Sequence, residues 1–195
     1  MRRLGSAETL REPMILRLLN VTCLTLVLAT GIGALGAQEP SQTGRMEHEK
    51  PSVPSAQLTI RGLDGESVKL AAADLASLPH KTVPVYNAHT KTNESYAGVS
   101  LIDVLKKVGV PSGENVRGKV LMTAVVAEGT DHYQVLYALA EIDPSIHTGE
   151  VIVADAMDGR PLDKDGSFKL VSSEERRPAR WVRNLTRISV IAVQP

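Results

Sequence analysis

Five arginines are packed into the stretch from Arg176 to Arg187: Arg176, Arg177, Arg180, Arg183 and Arg187, with the chain's single tryptophan, Trp181, among them. A guanidinium is a planar fork that grips phosphate or carboxylate through two parallel hydrogen bonds, so such a cluster could cradle an anion. Glu174 and Glu175 stand just ahead of it. The competing reading is therefore a solvated turn whose surface ion pairs contribute little. Two strand-like runs, Phe168 to Val171 and Ile188 to Val193, would have to position the cluster.

Other chemistries find less support. His48, His80, His89, His132 and His147 are scattered, with no second ligand at metal-binding spacing on one helix, so a zinc site is not indicated. There is no Gly-x-Ser-x-Gly elbow, and Gly118-Lys119-Val120 lacks the hydroxyl of a phosphate-binding loop. Acidic and basic residues number 22 each, which leaves no footprint for nucleic acid or an anionic membrane surface. A length of 195 residues suits one domain with a sizeable core. The lone Cys23 cannot form an internal disulfide, so that core must hold the fold.

Residues 1–37 read as an N-terminal export signal, with Met14 as an alternative start. Arg17 gives a short basic region, Leu18 to Leu28 is largely apolar, and small residues lead to a cleavage site near Gly36 or Ala37. Cleavage removes Cys23 and leaves a cysteine-free mature chain, periplasmic or secreted, without a membrane span. Residues 38–56 are Pro-rich and polar, a flexible tether that can bury no core. The domain is expected over residues 57–195.

Within it, Leu58-Thr-Ile-Arg-Gly and Ser67-Val-Lys-Leu alternate around the turn signal Asp64-Gly65 and predict a hairpin. Ala72 to Leu78 reads as a short helix stopped by Pro79. Lys81 to Tyr86 is strand-like, with Pro84 keeping it at an edge. Ser100 precedes an amphipathic helix carrying Leu101, Val104, Leu105 and Val108, ended by Gly109 and Pro111. Lys119 to Ala127, Tyr133 to Tyr137 and Val151 to Ala154 read as further strands, and Ala138 to Ile142 as one helical turn. Strands outnumber helices and no regular βαβ alternation occurs, so a β-rich α+β domain is expected rather than a doubly wound nucleotide fold.

In this order the motifs ADLASLP, YAGVSLIDVLKKVGV, AEGTDHYQVLYALAEIDP, VADAMDGRPLDKDGSFKLV and RPARWVRNLTRISVI resemble the oxidoreductase molybdopterin-binding domain, the sulfite-oxidase-like fold. The resemblance spans residues 57 to 193. It implies a mixed β-sheet with a few short helices, built to bind a pterin. It also implies a molybdenum-ligating cysteine after the third strand. The corresponding residues here, VYNAHTKTNES from Val85 to Ser95, contain none, and a soft thiolate is what that metal takes from a protein. The chain is thus similar to short exported relatives that keep the scaffold and lose the metal ligand. For some of these the implied role is pterin sensing, with a membrane signalling partner.

A pterin or molybdopterin-like ligand, small and planar, needs an aromatic face and a few fixed polar groups. The candidates are Asn87, His89, Asp131, Tyr133, Arg177, Arg180 and Trp181, with Tyr86 and Tyr96 as further aromatic candidates and Glu128 as a further polar one. Each also has a plain structural reading: Trp181 as core, His89 as a turn residue, the arginines as surface pairs. In the turn Asp131-His132-Tyr133, His replaces the usual Gly, so a different backbone geometry is expected. Three functions stay open: a metal-free ligand-binding module, a molybdopterin oxidoreductase or subunit with an atypical metal site and a redox partner, and a ligand-free interaction domain. The ligand readings require residues 86–94, 128–133 and 176–183 to converge.

Overall fold

The computed structural model describes residues 54–193, which lie within one compact unit, Met46–Pro195. The expected signal over 1–37, Cys23 and tether residues 38–53 lie outside the described residues.

Alternation sets the first elements. β1 (Gln57–Arg61) and β2 (Ser67–Ala71) form the hairpin, with Leu58 and Ile60 fully buried and Gly65 in the turn at φ 88°. α1 (Ala72–Ala76) follows at once, its start fixed by the Asp74 carboxylate, which accepts from the Ala71 N–H at 2.8 Å. β3 (Lys81–Asn87) lies at a sheet edge with Pro84 exposed, as its missing N–H requires. β4 (Thr92–Ser100) pairs with it, and α2 (Leu101–Leu105) runs into a 3-10 turn that Gly109 ends at φ 72°. Then come β5 (Thr123–Gly129), β6 (Gln134–Ala138), α3 (Leu139–Ile142), β7 (Val151–Met157), β8 (Arg160–Pro161), β9 (Lys169–Ser172) and β10 (Leu185–Ala192).

Two sheets result. One runs β2-β1-β10-β5-β6, and the other runs β3-β4-β7-β8 with β9 added on β7. Only β1 and β10 pair in parallel, so the fold is the mixed-sheet, β-rich α+β arrangement expected. The larger core gathers Leu58, Ile60, Val125, Tyr137, Phe168 and Ile188. A smaller one holds Val83, Val85, Tyr96, Ile152, Val171 and Trp181. Each such side chain contributes about 1.5–3 kcal/mol on burial. β9 and the residue before it serve both cores: Phe168 and Leu170 join the larger, while Val171 joins the smaller. Among the described residues no helix is long and apolar enough to cross a membrane.

Two elements differ from the sequence expectation. The strand expected from Lys119 begins only at Thr123, because Gly118 at φ 58° opens a 3-10 turn, Gly118–Met122. β4 carries no strand signal at its start, where Thr92, Asn93, Glu94 and Ser95 are all polar, yet it lies between β3 and β7. Its register on β7 slips by one between Ala97 and Gly98, so Asp155 falls between the partners Ala154 and Ala156 as a bulge residue. Gly98 permits this approach, since a Cβ there would lie 2.2 Å from the Val153 carbonyl oxygen.

Candidate functional site

The seven candidate residues divide between two neighbourhoods joined by the Pro178–Arg180 turn. In the first, at the turn end of the β3–β4 hairpin, Asn87 is 8% exposed and fully engaged. Its Oδ1 accepts from the His89 N–H at 3.0 Å, and its Nδ2 donates to the Glu94 carboxylate at 3.0 Å. Asn87 therefore builds the turn, and His89 is an exposed member of it.

From Glu94 a polar chain runs into the smaller core. The Tyr96 hydroxyl donates to Glu94 Oε2 at 2.8 Å and accepts from Lys169 Nζ at 2.8 Å. Lys169 donates onward to Asp165 Oδ2 at 2.6 Å, and its side chain is only 7% exposed. Its ammonium also lies over two rings, 4.6 Å from the Tyr96 centroid and 5.4 Å from that of Trp181. Trp181 stands edge-on to Tyr96 at 5.7 Å and donates its Nε1–H to the Ser172 carbonyl at 3.0 Å. This is the core role that burial favours. At Glu94 burial opposes the charged form, but hydrogen bonds from Asn87, Tyr96 and Thr90 outweigh it and hold the carboxyl below its ordinary range. Burial first, then the bond to Glu94, pushes the Tyr96 hydroxyl far up.

The second neighbourhood is where the β5–β6 turn meets the arginine segment. The Tyr133 hydroxyl donates to the Ala179 carbonyl, and that of Tyr137 to the Arg180 carbonyl at 3.0 Å. Arg180 is clamped: Nε donates to Glu175 at 2.7 Å, Nη1 to Glu141 at 3.2 Å, and the guanidinium covers the Tyr137 ring at 4.3 Å. Arg187 pairs with Glu128 at 3.2 Å, across from it on β5. Arg176, Arg177 and Arg183 are exposed and, among the described residues, have no carboxylate partner. Asp131 caps the β5–β6 turn, its Oδ1 accepting from the Tyr133 N–H at 3.0 Å. The expected change of backbone at His132 is not found: the residue takes φ 65°, the left-handed conformation a glycine favours. Its Nδ1 lies 2.9 Å from Glu128 Oε1.

Residues 128–133 thus meet the 176–183 segment through the Tyr133–Ala179 bond, whereas the β3–β4 hairpin meets it through Tyr96, outside residues 86–94. Neither of the two clefts found among the described residues is lined by all three, so the convergence that the ligand readings require is not seen. A cleft of about 170 Å³ is lined by Arg180, Tyr137, Glu141, Glu174, Glu175 and His147, and another of about 190 Å³ lies beside Ser100 and Asp143. Both fall below the ~300 Å³ usual for ligand pockets. Sequence reasoning missed Lys169 and Glu94. The signal was present in Phe168-Lys169-Leu170, a lysine placed inside an otherwise apolar strand.

With this geometry in view, comparison with known proteins decides the family. The oxidoreductase molybdopterin binding domain matches residues 47–194. The chain belongs to that family. Among solved structures, the sulfane dehydrogenase SoxCD from Paracoccus pantotrophus aligns with a TM-score of 0.54 and 20% identity, over 71% of this chain and 39% of that one. At that identity the likeness is one of fold. A search of the curated proteins finds no match.

The family implies a molybdopterin. Residues 54–193 contain no cysteine, and no group of three or more His, Cys, Asp or Glu side chains that could hold a metal occurs among the described residues. Where the family resemblance places a thiolate, Asn87 and Glu94 form a closed hydrogen-bonded turn. These donors do not fit molybdenum, which takes soft thiolate from a protein. The arginine edge fits the anionic part of such a group better, because its free guanidinium forks match phosphate or carboxylate.

Proposed function

We propose that this chain is an exported, metal-free member of its family that, without a cleft shared by the three expected segments, binds a flat anionic ligand of the pterin class on its arginine edge alone and signals its presence to a membrane-bound partner protein. The observation that carries this reading is the exposed set Arg176, Arg177 and Arg183, which among the described residues have no carboxylate partner, beside Tyr133, whose hydroxyl donates to the Ala179 carbonyl. The anionic group of a planar heterocycle would meet Arg177 and its neighbours. Such a ligand lies on an edge rather than in a deep pocket, which suits reversible sensing.

A second reading, an interaction domain without ligand, is favoured by one surface. Leu121, Met122, Ile191 and Val193 are each more than 40% exposed, and the Val193 N–H donates to the Met122 carbonyl, which puts these residues at one end of a sheet.

The test is to express the full chain in a host that makes molybdopterin and recover it from the periplasmic fraction. Pterin-type fluorescence without molybdenum, weakened about tenfold by Arg177→Ala, is the expected result. Stoichiometric molybdenum overturns it in favour of an oxidoreductase. A protein that carries no pterin and takes up none when the free compound is added leaves the interaction domain.

A further inference from the structure

His80 occupies the crossover between the two sheets, after α1 and just before β3. Both of its ring nitrogens face oxygen: Nδ1 lies 2.7 Å from the Leu78 carbonyl, and Nε2 lies 2.9 Å from Asp155 Oδ2. A carbonyl and a carboxylate can only accept. A neutral imidazole carries a single N–H, so one of these short contacts would then set lone pair against lone pair. The imidazolium carries two and satisfies both.

Asp155 is placed for this by the fold. It is the residue the β4–β7 bulge leaves without a partner, and the bulge exists because Gly98 lets β7 approach where any Cβ would collide. Its backbone is held from the other side, where the Leu162 N–H donates to the Asp155 carbonyl at 3.0 Å. Lys81, next in the chain, turns its ammonium to Glu150 at 2.6 Å, and Asp155 is the charge that faces the imidazole.

We propose that His80 and Asp155 form a pH-dependent clip: the imidazolium pins the crossover between the sheets to β7, and its deprotonation releases residues 77–81. The bond to Asp155 is the largest influence on His80 and raises its pKa above the ordinary 6.5 against the opposing effect of burial. The sign follows. A raised folded-state pKa means that the clip is closed below pH 6.5 and lost as pH rises through the folded value.

NMR of the full chain tests this through the ring nitrogens of His80 and the exchange rates of the 77–81 amides. The expected result is a doubly protonated ring that titrates above 6.5, with amide protection falling at the same midpoint after correction for intrinsic exchange. Asp155→Asn should lower that midpoint, since the bond to Asp155 is the largest influence raising it. His80→Gln should remove the pH dependence of protection, since Gln has no proton to lose in this range. A midpoint at or below 6.5 overturns the clip, as does protection that ignores the His80 midpoint. The wild-type titration decides the matter even where a variant fails to fold.

Discussion

The Lys169 network and the Arg176–Arg183 edge lie on two sides of one 3-10 turn and are made of the same materials: cations, tyrosines and carboxylates. What separates them is water. Lys169 is buried, so its ammonium must be answered on every side, by Tyr96, Asp165 and two aromatic faces. Arg177 is exposed, so solvent answers it and no internal partner is needed. A buried charge is thereby committed to structure, whereas an exposed one stays available to a ligand. Residue type alone did not separate these fates; the depth of the strand or turn carrying the residue did.

Variants can break or sharpen this contrast. The largest effect is expected from Lys169→Met, which leaves Asp165 and the Glu94–Tyr96 pair without their cation and should cost about 3 kcal/mol in urea unfolding. Gly98→Ala comes next. The added methyl would press on the Val153 carbonyl, and a loss of about 2 kcal/mol is expected, with β4 and β7 amides exchanging faster.

Acid should then distinguish the regions. Glu94 has a depressed pKa, so its contribution is present above the ordinary 4.5 and disappears as pH falls through the folded value. Glu94→Gln should flatten the acid limb of the stability curve, whereas Arg177→Ala should leave it unchanged. Tyr133→Phe removes one hydrogen bond and should cost about 1 kcal/mol, with a weakening of pterin binding. Smallest is Arg177→Ala itself, expected within about 0.5 kcal/mol of wild type in stability, so that any tenfold loss of pterin affinity reports on recognition alone.

The elements legible in the sequence were those in which local rules and tertiary burial agree. Leu58 and Ile60 alternate inward, Pro84 marks an edge, and Gly109 ends a helical run, all as found. β4 was illegible because half of its residues are polar and its place between β3 and β7 is set by long-range pairing. For the site, the arginine cluster was visible but its sorting was not. Arg180 is neutralised by Glu175 close by and by Glu141 far along the chain, and only the folded sheet brings Glu141 near. Trp181 went to the core because its Nε1–H finds the Ser172 carbonyl there. His132 shows the limit of substitution logic: a non-glycine residue holds a left-handed turn when Glu128 engages its ring.

The parallel pairing of β1 with β10 joins the first strand of the domain to the last. Since β10 also carries β5 on its other edge, the five-stranded sheet has no centre until residues 185–192 have left the ribosome. A chain wired this way is obliged to wait. The β1–β10 pairing spans nearly the whole domain, and such non-local pairing favours slow folding. Chains truncated before Leu185 should accordingly leave the β1–β2 and β5–β6 pairs protease-sensitive, and chains that include β10 should protect both pairs together.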